Sequence, residues 1–324
     1  MKTIRWGIIG CGDVTEKKSG PGLQKADGSS LVAVMRRDSE KASDYAKRHD
    51  VPRWYDDAQS LIDDPEVNAV YIATPPSSHM EYTLKVAEAG KSVYCEKPLG
   101  ISSEESKKMV AACKEKGVPF FSAYYRRALP KYLTIKALID SGAIGEIRYV
   151  HIAMHRSITE RDMQPGGNWK VMPEIAGGGL LLDIGSHALD LLDWYCGPIT
   201  KAQGYADNQS KSYAADDIVS GSWKHANGII GSGIFCFNTY KDEDRTTICG
   251  SEGEISYSVL DIEDPIHIRT KTEEKEIAVE KAPEHVAQPL IQTVVNDLLG
   301  RGTCPSTGES GSRTDWVIEK LQGK

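Results

Sequence analysis

Short apolar runs of strand character take turns with amphipathic stretches through the first third of this chain. Strands are predicted at residues 3–10, 31–36, 69–74, 92–96 and 119–123, with helices among them at 40–49, 78–89 and 104–116. Ser78 with Glu81 and Ser102 with Glu105 have capping-box spacing, in which side chains satisfy the free amides of a helix start. Gly90 and Gly117 stand where helix C-caps belong. Strands separated by helices make a parallel, doubly wound α/β sheet.

After a further helix at 132–141 the pattern changes. Residues 147–155, 217–224 and 229–237 alternate in the manner of half-buried strands, and Asn227-Gly228 joins the last two as a tight hairpin. Strand character continues at 246–249, 255–259, 266–270 and 276–279, with turns at 250–253 and at Asp264-Pro265. Helical pattern returns at 286–299 and 313–322. Consecutive strands with short turns predict a large open antiparallel sheet in an α+β domain. The expected division is therefore residues 1–123 and residues 124–324.

Composition narrows the class. A chain of 324 residues is long for one core and suits two domains. The net charge of −7 speaks against a nucleic-acid partner, which would need a broad basic footprint. Seven scattered cysteines without a Cys-x-x-Cys pair fit reduced thiols in a cytoplasm, not a disulfide framework or a zinc site. Met1-Lys2-Thr3 leads straight into the first strand, so no signal peptide is expected. Nor is a membrane span, since no apolar stretch reads as approaching roughly 20 residues.

The chemistry sits at strand ends. Gly10-Cys11-Gly12 follows the first strand, and Asp13-Val14 opens the next polar segment. Such a turn lets backbone approach a pyrophosphate and point its amides at it, the basis of a dinucleotide site. Thr15 occupies the third glycine position. After the second strand come Arg36-Arg37, which pair with a 2′-phosphate and cannot accept from a 2′-hydroxyl. The expected cofactor is NADP(H), with NAD kept open by Asp38. Thr74-Pro75 begins a rigid loop suited to bordering ribose and nicotinamide; His79 fits that role or an exposed first-turn position equally. Glu96-Lys97-Pro98 ends the strand at 92–96, and a lysine stiffened there is placed for chemistry.

The second constellation is Gly177-Gly178-Gly179 followed by Asp183, His187 and Asp190. Spacings of four and three put the last three on one helical face. Histidine suits proton transfer near neutral pH, and a carboxylate one turn away can orient it. The same pair also occurs as a plain helix contact without chemistry, and as a metal site the ligand set is thin, so no metal is expected. Tyr124, Arg126, Asn168, Trp169 and Lys170 are candidates to line a cleft, where aromatic rings stack on a sugar or on nicotinamide; packing at a domain seam is the other possibility.

Taken together, these motifs resemble the glucose–fructose oxidoreductase, inositol dehydrogenase and rhizopine catabolism (Gfo/Idh/MocA) family of oxidoreductases. The resemblance rests on Gly7-x-x-Gly10-x-Gly12, Ala73-Thr74-Pro75, Glu96-Lys97-Pro98, Arg126-Arg127-x-x-Pro130, Trp169-Lys170, and the three glycines through Asp183-x3-His187. It implies a Rossmann domain, an open-sheet domain, and cofactor and substrate in a cleft between them. It also implies pairing of subunits into dimers or tetramers through the outer face of the sheet. By that likeness Lys97 holds the reacting oxygen, His187 exchanges its proton and Asp183 positions both. Glu96, Trp169 and Lys170 join the cofactor contacts; Tyr124, Arg126, Asn168 and Trp169 face substrate. The expected activity is alcohol–carbonyl interconversion on a sugar, polyol or cyclic diol. A nicotinamide-dependent glycosidase and a non-catalytic cofactor-binding regulator are the alternatives.

Overall fold

The computed structural model describes residues 3–324 and divides into two compact units that the chain visits more than once. The first comprises the chain up to Gly100, Glu104–Leu129 and Pro283–Ser312; the second comprises Ile101–Ser103, Pro130–Ala282 and Arg313–Lys324. This differs from a single cut at residue 123. Apolar periodicity reveals that a segment is a helix, but not which core it covers.

The first unit is built on six parallel strands: β1 (Ile4–Ile9), β2 (Ser29–Met35), β3 (Arg53–Tyr55), β4 (Ala69–Ile72), β5 (Ser92–Cys95) and β6 (Phe120–Ser122). Their order, β3-β2-β1-β4-β5-β6, reverses between β1 and β4, so the loops leaving those two strands frame the crevice where such sheets bind ligands. Every residue of β4 and β5 is buried, as expected for strands covered on both faces. Tyr71 and Tyr94 stack at 4.9 Å, and Trp6 meets Tyr94 edge-on at 6.2 Å. The returning helix Gln288–Leu298 packs so closely that a methyl on Gly22 would lie 3.0 Å from Ile291 Cδ1. Gly90 and Gly117 end their helices at φ of +69° and +65°. Ser78 does not cap its helix as its spacing predicts; its hydroxyl lies 2.8 Å from Thr74 Oγ1 and 3.0 Å from the Pro75 carbonyl.

The second unit carries an eight-stranded sheet of β7 (Ile147–His155), β8 (Ile199–Asp207), β9 (Ile218–His225), β10 (Ile230–Cys236), β11 (Glu243–Gly250), β12 (Gly253–Tyr257), β13 (Ile266–Thr270) and β14 (Glu274–Ile277). The order is β14-β13-β12-β11-β7-β10-β9-β8, and all neighbours run antiparallel except β7 and β10. Gly228, at φ +97°, makes the β9–β10 turn. Against β7 on one face packs the helix Ser186–Cys196, where every residue but Trp194 is buried. Within the 24-residue run Pro173–Cys196 an 18-residue window reaches a mean hydropathy of 1.3, apolar and long enough in composition to cross a bilayer, which corrects the expectation that no such stretch exists. Yet 78% of that window is buried inside the protein, so core packing accounts for its apolarity.

Candidate active site

The glycine loop is fastened to the neighbouring strand. The amides of Gly10 and Cys11 both donate to the Met35 carbonyl, at 2.9 and 3.1 Å. Gly10 takes φ +93°, and a Cβ there would come within 2.6 Å of Thr74 Cγ2, so the loops after β1 and β4 touch. Gly12 differs: its φ of −152° suits any residue, and an added Cβ would meet nothing nearer than 3.9 Å. No internal contact demands glycine there, and the space suits the close approach of a pyrophosphate. Asp13 and Val14 follow in the short helix Asp13–Lys17.

Thr15 is fully buried, its hydroxyl accepting from the Gly12 amide at 3.0 Å and donating to the Gly12 carbonyl at 2.8 Å. The close packing that a third glycine would provide comes from Gly20, where a Cβ would sit 2.2 Å from the Thr15 carbonyl oxygen and 2.4 Å from Tyr45 Oη. Sequence reasoning missed Gly20, although Ser19-Gly20-Pro21-Gly22 signals it.

At the end of β2, Arg36 is half-buried and its Nη1 donates to the Cys11 carbonyl at 3.3 Å, laying the guanidinium across the glycine loop. Arg37 is exposed. Asp38 is spent as the N-cap of Ser39–Arg48: it accepts from the Lys41 amide at 3.1 Å and pairs with the Lys41 ammonium at 2.9 Å. The Lys41 side chain, then its amide, hold this carboxyl below the usual range.

Past β5, Glu96 is buried, accepting from Tyr71 Oη at 2.6 Å and from the Lys97 amide at 3.2 Å. Burial first, and the Glu96 charge second, push the Tyr71 phenol far above its ordinary range, so it stays a donor. Glu96 thus fixes the backbone that carries half-buried Lys97, and the Lys97-Pro98 bond is cis. His79 is neither an exposed residue nor one facing a ligand. It is fully buried, with Nδ1 3.0 Å from the Pro98 carbonyl oxygen and Nε2 2.7 Å from that of Thr74. Burial holds its imidazole below the usual histidine range, against the pull of both carbonyls. Its work is to bind the loop of Thr74 and exposed Pro75 to the end of β5. Tyr124 is fully buried too, which leaves its ring no surface for stacking on substrate. Arg126 is 6% exposed, its guanidinium 4.9 Å from the Tyr125 ring centre, with Lys18 at 4.2 Å from the same ring.

In the second unit, the run holding Asp183 and His187 is not one α-helix. Leu181–Gly185 forms a wide π-helical turn, and α-helical winding starts at Ser186. Such turns are rare and cluster at functional sites. Gly177, at φ +82°, precedes it, and a Cβ there would fall 2.6 Å from the Ile101 backbone. His187 is 5% exposed. Lys170 Nζ donates to Asp183 Oδ2 at 2.8 Å. Asn168, expected to face substrate, is buried and committed elsewhere: its Nδ2 donates to Asp162 Oδ1 at 2.7 Å and its Oδ1 accepts from the Lys170 amide at 3.2 Å. Trp169 remains an exposed aromatic surface, at 38%. Asp162, which organises this loop, gave no sequence signal. Among the described residues no group of three or more His, Cys, Asp and Glu side chains could hold a metal ion.

Comparison with known proteins identifies the family and the fold. Residues 4–124 match an oxidoreductase family with an NAD-binding Rossmann fold, Gfo/Idh/MocA, and residues 132–256 match the C-terminal domain of the same family. An oxidoreductase of Formosa agariphila is 39% identical over 99% of this chain and 98% of its own length. The 1,5-anhydro-D-fructose reductase of Ensifer adhaerens is 27% identical, over 95% of this chain and 92% of its own. The trans-1,2-dihydrobenzene-1,2-diol dehydrogenase of Bos taurus is 28% identical, over 86% and 81%. Among solved structures, the fold matches levoglucosan dehydrogenase in complex with NADH and levoglucosan at a TM-score of 0.85, with 23% identity over 98% of this chain and 96% of that one.

Proposed function

The chain belongs to the Gfo/Idh/MocA family of NAD(P)-dependent oxidoreductases, and from that membership we propose that it interconverts an alcohol and a carbonyl on a sugar, polyol or cyclic diol, using NADP(H). The observation that carries the reaction type is the end of β5, where Glu96 is tied to Tyr71 and to the Lys97 amide so that a lysine stands at the carboxyl edge of the sheet. The choice of NADP(H) rests on Arg36 lying over the glycine loop while Asp38 is occupied as a helix cap.

When bound, the nicotinamide supplies or accepts the hydride. The protein's own residues deal with the oxygen. Lys97 offers an ammonium to the charge that develops there, and His187 gives or takes the proton, while Asp183 orients the imidazole. Gly12 leaves room for the pyrophosphate, and Arg36 with Arg37 meets a 2′-phosphate by charge-assisted hydrogen bonds. Trp169 is the aromatic surface for a sugar ring or the nicotinamide. Absorbance at the reduced-nicotinamide band, followed across a panel of sugars, polyols and diols with each cofactor, tests the assignment. Turnover with NADP⁺ or NADPH is expected; a panel without any would defeat it.

The exposed sheet face also supports a homo-oligomer. Tyr205, Ile230, Tyr149 and Ile234 are 86, 56, 48 and 43% exposed, and the register sets Ile230 beside Tyr149, with Tyr205 and Ile234 flanking Ser220. Scattered apolar residues are normal on a surface, whereas neighbouring ones on a flat face favour a partner. Sedimentation of the wild type should give a dimer or tetramer, and Tyr205→Glu with Ile230→Glu should give monomers. A monomeric wild type would refute this assembly.

A further inference from the structure

Lys170 sits in the motif that the resemblance assigns to the cofactor, yet its ammonium is engaged within its own unit. Nζ reaches Asp183 Oδ2 at 2.8 Å, with the lysine side chain 41% and the aspartate 20% exposed. A half-exposed pair between two freely moving side chains contributes little. Here the backbone that carries the lysine is held. The Lys170 amide donates to Asn168 Oδ1, and Asn168 Nδ2 donates to Asp162. Asp162, 3% exposed, also accepts from Thr159 Oγ1 at 2.7 Å, from the Thr159 amide at 3.1 Å and from Arg156 Nη2 at 3.0 Å. Burial opposes the charge on Asp162, and the Thr159 and Asn168 hydrogen bonds overcome it, holding the carboxyl below its usual range. Arg156 directly follows β7, so a bonded path runs from the end of that interior strand through Asp162 and Asn168 to the Lys170 backbone.

At the other end, Asp183 lies within the π-helical turn, a winding that an ordinary helix does not hold unaided. We propose that Lys170 is a positioning residue for Asp183, an anchored cation that fixes the carboxylate in the orientation His187 needs. This rests on the assignment of Asp183 and His187 to proton handling. On this account Lys170 acts on turnover through Asp183 and not on cofactor affinity.

The test has a readout free of cofactor and one with it. In the cofactor-free protein, the Asp183 carboxyl ¹³C resonance, identified by its loss in Asp183→Asn, should move in Lys170→Met and lie near the wild-type position in Lys170→Arg. The NADPH dissociation constant of Lys170→Met, from nucleotide fluorescence, should change less than about twofold. Its kcat, on any substrate the wild type turns over, should fall about tenfold to a hundredfold and largely recover in Lys170→Arg. An unmoved carboxyl resonance overturns the proposal. So does an NADPH dissociation constant raised more than about tenfold with kcat preserved at saturation. Wild-type kcat in His187→Ala would instead strike the assignment beneath it.

Discussion

Two neighbouring charges at the end of β2 illustrate how the same few residues divide binding from folding. Asp38 accepts the Lys41 amide and pairs with its ammonium, so its carboxylate serves the helix start, whereas Arg36 turns back over the Cys11 carbonyl. Asp38→Ala should therefore lower the urea midpoint, as loss of an N-cap does, and leave the preference for NADPH over NADH unchanged. Arg36→Ala should do the reverse, narrowing the preference with little change in the urea midpoint. Calorimetric titration of both cofactors checks each variant; a narrowed preference in Asp38→Ala would mean that its carboxylate reaches the ribose. The residue types at this corner were legible in sequence, since guanidinium and carboxylate chemistry is fixed. Which one was already engaged was not, because a cap depends on a backbone turn three residues on. The same limit hid His79, one of whose two carbonyl contacts comes from Pro98, remote in the chain.

Elements were read well where burial is uniform and poorly where it is not. β4 and β5, buried throughout, stand out as apolar runs, and β7 and β13 alternate cleanly enough for their ends to be placed at 147–155 and 266–270. β3 is three residues with no buried position, and β8, at the sheet edge, reads polar through Lys201, Gln203 and Asp207. β3 is too short to show a period, and the inward positions of β8 are only Ala202, Gly204 and Ala206, too small to mark it as an apolar strand. The π-helical turn at Leu181–Gly185 is likewise invisible, since its leucines also satisfy an α-helical period. Contacts between elements carry a further consequence. Glu16, in the helix after the glycine loop, accepts two hydrogen bonds from Arg48, both 2.8 Å, and pairs with His49 at 2.8 Å. Arg48 first, then His49, bring its carboxyl down to about 2, against the opposing effect of burial. A folded-state value below the unfolded one stabilises above the unfolded pKa and is lost as pH falls. The link between these helices should therefore weaken between about pH 5 and pH 2. Urea unfolding across that range should show Glu16→Gln below the wild type at pH 7 and merging with it near pH 2. The gain is modest, because the Glu16 side chain is 32% exposed. A variant indistinguishable from wild type at pH 7 would dismiss the link.

For the whole molecule, the division into units splits the chemistry as well. Lys97 belongs to the unit that carries the glycine loop, while Asp183 and His187 belong to the unit with the large sheet. Chain order says nothing about such a division, and only the resemblance joined these residues into one mechanism in advance. The joint role is open to a kinetic test that needs no picture of the bound state. If Lys97 and His187 serve one oxygen in one transition state, removing either disables the same step. Each of Lys97→Ala and His187→Ala should then lower kcat by about 10²–10⁴, with NADPH affinity retained in the His187 variant. The double variant should be little slower than the worse single one, since residues that act as a unit are strongly non-additive. Groups serving separate steps or separate ligands would give the product of the two losses, about 10⁴–10⁸. Single-turnover rates of the four proteins, at saturating cofactor and substrate, decide between these outcomes, and a product of losses would separate Lys97 from His187 and end the shared mechanism.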